Sequence, residues 1–317
     1  MSIRTERGTG FHRGELAVQH RAGVGERAAQ LSGMLAPPDL TGVPAFFLAR
    51  RDLAVLTAAD PADGLLWTVP LTGRPGFLDV VDASTLDVLA LPAPGGPLAG
   101  GPAAGAAVGM IAVDFALRRR LRVNGTVVAS GPTGFAVQAG QAFGNCPQYI
   151  QQRAVDAGPQ TPDGASSPAP ETGKAGVPHD ALEDGDAALI AGADTFFLGT
   201  VHATGADASH RGGAPGFVRV EDGDLWWPDY PGNNMFASLG NLEADPRAAL
   251  LFPDFAGGSM LQLSGHAVVE WTEPGLGGDE GATGRRVRFT PRRVVRTPVV
   301  FTAGPVTPSP RNPRLAR

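Results

Sequence analysis

The chain has 317 residues, 43% hydrophobic and 18% charged, with 44 glycines, 29 prolines and a formal net charge of −5. That length allows two domains or one large one, and the composition favours short strands and many turns over long helices. No basic stripe carries an aromatic platform, which excludes nucleic acid as the main partner. The single cysteine, Cys146, excludes an intrachain disulfide, so no oxidising compartment is required.

Residues 1–11 read as loose, and Met1 to Arg7 lacks the apolar core of a signal peptide. From His12 to Leu35 the apolar residues Leu16, Val24, Ala28, Leu31 and Leu35 fall at helical spacing, with Gly23 and Gly25 splitting the helix in two. Phe46 to Leu91 reads as strands at 54–57, 65–70 and 78–81, joined by turns at 60–64 and 73–77. Val88 to Val113 is uncharged, but Pro92, Pro94, Pro97 and Pro102 would break a membrane-spanning helix. The expected location is therefore cytoplasmic, with no membrane partner.

Residues 108–115 and 120–129 read as a strand pair, and 141–153 follow. Residues 154–178 are rich in Pro, Gly, Ser and Thr and form the expected linker. Asp180 with Glu183 predicts an N-cap and a short helix to about Ala193. Strands are expected at 196–203, 216–221, 225–228, 248–255 and 261–271, and the tail, 298–317, is expected to be disordered.

The halves repeat. Phe46-Phe47-Leu48 answers Phe196-Phe197-Leu198, and Arg74-Pro75-Gly76-Phe77 answers Ala214-Pro215-Gly216-Phe217. Asp114-Phe115 and Asp254-Phe255 each precede a matching glycine, Gly125 or Gly265, inside matching strands. Matches in one order imply a duplicated β-domain, 11–153 and 179–297.

The chemistry concentrates in the second half. His210-Arg211-Gly212-Gly213 places two cationic or polar side chains beside two glycines that would let backbone amides approach an anion. Tyr230-Pro231-Gly232-Asn233-Asn234 follows and leads to Ser238-Leu239-Gly240-Asn241-Leu242. The pair reads as two lips of a phosphate-bearing cofactor site; the alternative is two ordinary turns. Arg120 and Arg122 share a strand face and would reach an anionic cofactor or lie solvated on an edge. Ser238 and Asn241 stand near a helix start and would face an anion or cap locally. Asn145, Tyr149 and Gln151 would reach the cofactor or pack as a loop. Cys146 has no His or acidic neighbour and reads as a small hydrophobe. No metal-ligand spacing is visible.

Ser209-His210-Arg211-Gly212-Gly213, Pro215-Gly216-Phe217, Gly232-Asn233, Ser238 to Leu242 and Asp245-Pro246-Arg247 together resemble the pyridoxamine 5′-phosphate oxidase-related, flavin-binding split-barrel family, in its long two-lobed bacterial form. Phe143 to Pro147 with Tyr149-Ile150-Gln151 fits the same form, and the resemblance covers roughly 11 to 297. It implies a mainly β protein of two tandem FMN-binding split barrels with flanking short helices, holding flavin between the halves. It implies a flavin-dependent oxidoreductase using FMN, or FAD, with a small-molecule substrate and a nicotinamide or deazaflavin electron donor. Cofactor contacts would come from His210, Arg211, Gly212, Gly213, Asn233, Ser238, Asn241, Arg247, Asn145 and Arg122, with His210 the one catalytic candidate. The first half has Pro70-Leu71-Thr72-Gly73 at the equivalent place, so one of two pseudo-symmetric sites would have decayed. Asn234 stands where many relatives carry Arg or Lys, and the substrate-phosphate residues of true vitamin B6 oxidases are not found. The alternatives are a flavin or haem carrier, with His202 or His266 as axial ligand, and a barrel with no cofactor. A homodimer is compatible with all of these.

Overall fold

The computed structural model describes residues 10–144, 146–157, 176–203, 205–299 and 301–315. The first lobe opens with helices α1 (Arg13–Arg21), α2 (Gly25–Ala29) and α3 (Val43–Leu48). Its strands are β1 (Leu53–Ala59), β2 (Leu66–Thr72), β3 (Leu78–Val80), β4 (Thr85–Val88), β5 (Ala107–Asp114), β6 (Arg119–Gly131) and β7 (Gly134–Gly144). A short strand β8 (Val155–Ala157) follows, then α4 (Asp184–Gly192). The second lobe holds β9 (Thr195–His202), β10 (Gly205–Gly212), β11 (Arg219–Glu221), β12 (Asp224–Pro228), α5 (Ala237–Ala244), β13 (Arg247–Asp254), β14 (Ser259–Trp271), β15 (Arg285–Pro298) and β16 (Phe301–Ala303).

Two seven-stranded antiparallel sheets have the same order, β2-β1-β5-β6-β7-β4-β3 and β10-β9-β13-β14-β15-β12-β11. These are two split-barrel lobes, and the duplication read from sequence is real at the level of register. A bulge falls between Asn124 and Gly125 in β6 and between Ser264 and Gly265 in β14. Gly73 and Gly213 each lie under an aromatic ring; a Cβ there would stand 2.6 Å from Phe77 Cγ and 2.5 Å from Phe217 Cγ. Both pairs are 140 residues apart, so one offset maps β2 onto β10 and β6 onto β14.

Each lobe buries its own core. Leu56, Trp67, Leu71 and Val137 lie in the first, and Phe196, Trp227, Leu250 and Phe289 in the second. A third apolar cluster, including Val55, Ile111, Phe197, Leu251 and Met260, joins them. Burying such side chains contributes about 1.5–3 kcal/mol each, so the lobes are held by a core and not by a tether.

Several expectations are corrected. Phe46-Phe47-Leu48 lies in α3, whereas Phe196-Phe197-Leu198 lies in β9, so that sequence match is not a structural one. The cap of α4 is Glu183 with Asp186, three residues later than Asp180 with Glu183. His210 to Gly212 end a strand, β10, and do not form a turn. Strands β4, β7, β8, β10, β15 and β16 are absent from the sequence reading. The tail is not disordered over 301–315: β16 pairs with β8, Gln152 bridges to Thr307, and the Ser309 amide donates to Gln151 Oε1 at 2.8 Å. Of the expected linker, Val155–Ala157 is strand and the Gly176 amide donates to Arg296 O; 158–175 lie outside the described residues.

Candidate functional site

The lobes leave a cleft between them of about 930 Å³, counting its open mouth. The first lobe supplies Arg120 and Arg122 from β6, Phe143 from β7, and the segment 146–149. The second supplies His210, Arg211 and Gly212 from β10 and the loop from Trp227 to Phe236, which ends in the first turn of α5.

Period-two alternation on β6 points Arg120 and Arg122 the same way. Arg122 Nη1 lies 3.0 Å from both carboxylate oxygens of Asp207, which is 2% exposed. Asp207 also accepts from Asn124 Nδ2 (3.2 Å) and Ser238 Oγ (2.9 Å). Arg211 lies 3.4 Å from Asp229, which Arg285 shares at 2.9 Å. Arg120 has no carboxylate partner among the described residues; it donates to His210 Nδ1 (3.0 Å) and to the Cys146 carbonyl (2.8 Å). Four guanidinium groups thus face two carboxylates. Burial, then Arg122 and Arg211, pull Arg120 down to about 9, which leaves it charged at neutral pH.

His210 is buried, and its Nδ1 accepts from Arg120, so its proton sits on Nε2. Burial, then the surrounding arginines, hold its pKa well below the ordinary value, so the ring is neutral. Its Nε2 has no hydrogen-bond partner, nor have Arg120 Nε, Arg122 Nε, Arg211 Nε, Trp227 Nε1 and Tyr230 Oη. Buried donors without acceptors are costly, and here they gather in one cleft. Helix α5 opens on the same space through Ala237, Ser238 and Leu239, with no side-chain cap. Its cap residue Phe236 and the nearby Asn234 both adopt left-handed backbone, at φ 61° and 63°, a strain that concentrates at ligand sites.

Residues 182–280 match the family model described as pyridoxamine 5′-phosphate oxidase. That match spans most of the second lobe. No curated protein matches the chain. Solved structures similar to it include HupZ from Group A Streptococcus, 13% identical over 36% of this chain and 91% of that one, with a TM-score of 0.29. General stress protein 26 from Bacillus anthracis is 16% identical over 36% of this chain and 92% of its own, with a TM-score of 0.28. A FAD-binding protein from Mesorhizobium loti is 13% identical over 38% and 96%, with a TM-score of 0.26.

The expected site residues divide. His210, Arg211, Gly212, Asn233 and Ser238 line the cleft, and Arg122 joins them from the other lobe. Gly212 has a further reason to be glycine: a Cβ would overlap the Tyr149 carbonyl oxygen crossing from the first lobe. Gly213 does not line the cleft; it sits under Phe217, and its amide donates to Asp194 O. Asn241 turns away, donating to Thr200 Oγ1 and accepting from His12 Nε2. Arg247 folds back on Asp245 with its side chain 43% exposed, outside the cleft. Asn145 lies outside the described residues. His202 stacks on His12 and His266 pairs across from Arg247, so neither faces the cleft as an axial ligand would.

Sequence reasoning missed Asp207 and Asp229. Asp207 stands three residues before His210 on the same strand, and a lone acid beside a cationic motif was the available signal. No helix among the described residues is long and apolar enough to cross a membrane.

Proposed function

We propose that the protein is a flavin-dependent oxidoreductase that binds one FMN in the inter-lobe cleft. The observation that carries this reading is the excess of guanidinium over carboxylate around an aromatic-lined cleft into which an uncapped helix N-terminus opens. Buried cationic forks and free helix amides are the donor set that a phosphate monoester requires. Phe143, Tyr149, Trp227 and Phe236 offer flat apolar surface for a ring system. FMN is preferred to FAD as the ligand whose phosphate ends the molecule.

Bound flavin would supply reversible hydride acceptance. Arg120, Arg122 and Arg211 would hold its phosphate and favour negative charge nearby. His210, neutral and carrying its proton on Nε2, would be a hydrogen-bond donor without adding a charge. The Tyr149 hydroxyl donates to the Pro231 carbonyl at 2.9 Å across the lobes, which narrows the mouth and limits water. The electron donor we favour is a reduced nicotinamide or deazaflavin, and the setting the cytoplasm.

The second flavin site expected from pseudo-symmetry is filled. The 140-residue offset places Met260 and Gln262 where Arg120 and Arg122 would be, and Pro70 and Leu71 where His210 and Arg211 would be. All four are buried and uncharged. The visible spectrum of the purified protein, with mass analysis of what acid releases, is the test. One equivalent of FMN per chain supports the reading; a Soret band, or no chromophore and no uptake of added FMN or FAD, overturns it.

A further inference from the structure

A second cavity, about 900 Å³ counting its open mouth, lies on the other side of Asp207. Its walls come from α1 (Glu15, with His12 before it), β6 and β7 (Asn124, Thr126, Gln138, Gly140, Gln141), the β9–β10 hairpin (His202, Gly205, Asp207) and α5 (Asn241). Among the described residues, no Lys or Arg lines it. Asn124 Oδ1 is a buried acceptor with no donor, in a residue only 9% exposed. Glu15 is 4% exposed, and its carboxylate accepts only the His12 amide at 2.8 Å among its hydrogen bonds. Asp207 lines the same space, but its carboxylate is already taken up by Arg122, Asn124 and Ser238. Glu15 and Asn124 Oδ1 are therefore the acceptors this wall leaves open, and no Lys or Arg in the lining answers Glu15.

We propose that this cavity binds a small organic cation through a primary ammonium group, held by Glu15 and Asn124 Oδ1. An ammonium brings donors and a charge to a carboxyl group with no cationic partner and to a vacant amide oxygen. An anion would meet the Glu15 carboxyl group and no Lys or Arg in the lining. A metal ion is disfavoured because, among the described residues, the one group of three metal-donor side chains lies elsewhere, at His179, Glu183 and Asp186. The small residues Gly125, Ala139, Gly140, Ala206 and Ala237 leave room for a short aliphatic body.

The titration of Glu15 gives the site a signature. Burial, against the pull of the His12 amide, pushes its carboxyl up to about 7. The groups facing it are Asp207 from β10, His202 from β9 and His12 at the cap, with none from α5. Both imidazoles are held below their ordinary value, mainly by burial, and are neutral. An incoming cation would then ionise Glu15 and release about half a proton at pH 7, and almost none at pH 8.5.

The experiment is calorimetric titration of the full chain with n-butylamine, using n-butanol and butyrate as controls, in buffers of different ionisation enthalpy. The expected result is binding of the amine alone, with the stated proton release. Glu15→Gln should weaken it at least tenfold. Gly140→Leu adds bulk at a lining position where a Cβ would make only an ordinary contact, 3.8 Å from the Asn124 carbonyl oxygen, and should abolish binding even if Glu15→Gln folds poorly. No heat from butylamine, equal binding by both variants, or equal binding of butyrate overturns the proposal. FMN uptake is measured in parallel and should be unchanged in both variants, so loss of the flavin reading and loss of this one are separable.

Discussion

Replacing Asp207 by Asn will weaken the fold and tighten anion binding at the same time. Asp207 is 2% exposed and neutralises Arg122, whose Nη1 lies 3.0 Å from both its oxygens. Breaking a buried pair by removing one charge costs about 3–5 kcal/mol. Arg122 borders the cleft with 11% of its side chain exposed, so the low end applies, about 3 kcal/mol. The freed guanidinium then gains a charge-assisted hydrogen bond to a phosphate, worth about 1.5 kcal/mol or roughly tenfold in affinity. Urea unfolding followed by tryptophan fluorescence reads the first effect. Titration of the apoprotein with FMN, against riboflavin, reads the second. The gain should appear for FMN and not for riboflavin, which lacks the phosphate. A stability loss under about 1 kcal/mol, or an equal change for both ligands, would refute the reasoning. Arg122→Met added to Asp207→Asn should recover some of the lost stability.

Arg211→Ala should release FMN while leaving the secondary structure intact, checked by the flavin absorbance of the purified variant and its circular dichroism. Gly212→Ala sets a methyl group against the Tyr149 carbonyl and should cost about 1–3 kcal/mol of stability, along with FMN affinity, since the displaced segment forms one wall of the cleft. Glu15 has a folded pKa above its ordinary value of 4.5, so the folded state binds the proton more tightly than the unfolded state. The apoprotein therefore loses stability as pH rises from about 4.5 to 7, with no further loss from this group above that. Glu15→Gln should remove this slope and be the more stable form at pH 8 in thermal melts; parallel slopes would count against it. His179 runs in the same sense: burial lowers its pKa, but the hydrogen bonds to Asp186 at 2.9 Å and to the Val177 carbonyl, with the charges of Asp186 and Glu183, together outweigh that and raise it. Its contribution is present below pH 6.5 and fades as pH climbs through the raised value, so His179→Ala should flatten the pH dependence of stability just above pH 6.5.

The duplication was legible because it rests on residues whose job is local. Gly73 and Gly213 must make way for a ring, and Gly125 and Gly265 mark a bulge, so these recur in the sequence as they do in the fold. Strand β15 was hidden because its run from Arg285 to Pro298 alternates arginine with valine and includes prolines, which hides the pattern of a strand. The tail's order was hidden because its Pro-rich composition says nothing of Gln151, which ties it down with a side-chain amide. In the site, His210, Arg211 and Arg122 were visible as charges. Arg247 looked equivalent until Asp245, two residues away, claimed it. Asp207 could not be valued from sequence, since its weight comes from Arg122, 85 residues earlier, and that meeting exists only when the lobes pack.

Joining two lobes in one chain changes what mutation can do to the interface. In a pair of identical subunits every residue is spelled once and used twice, so each change strikes both copies of a site. Here positions 122 and 262 are spelled separately. Arg122 is free to serve the open cleft, while Gln262 is sealed at 1% exposure with its amide donating to Thr297 Oγ1 at 2.9 Å. One face can specialise for a ligand and the other for cohesion, without compromise between them. The tether also fixes the local concentration of each lobe around the other, so the cleft survives dilution that would dissociate a pair of untethered subunits.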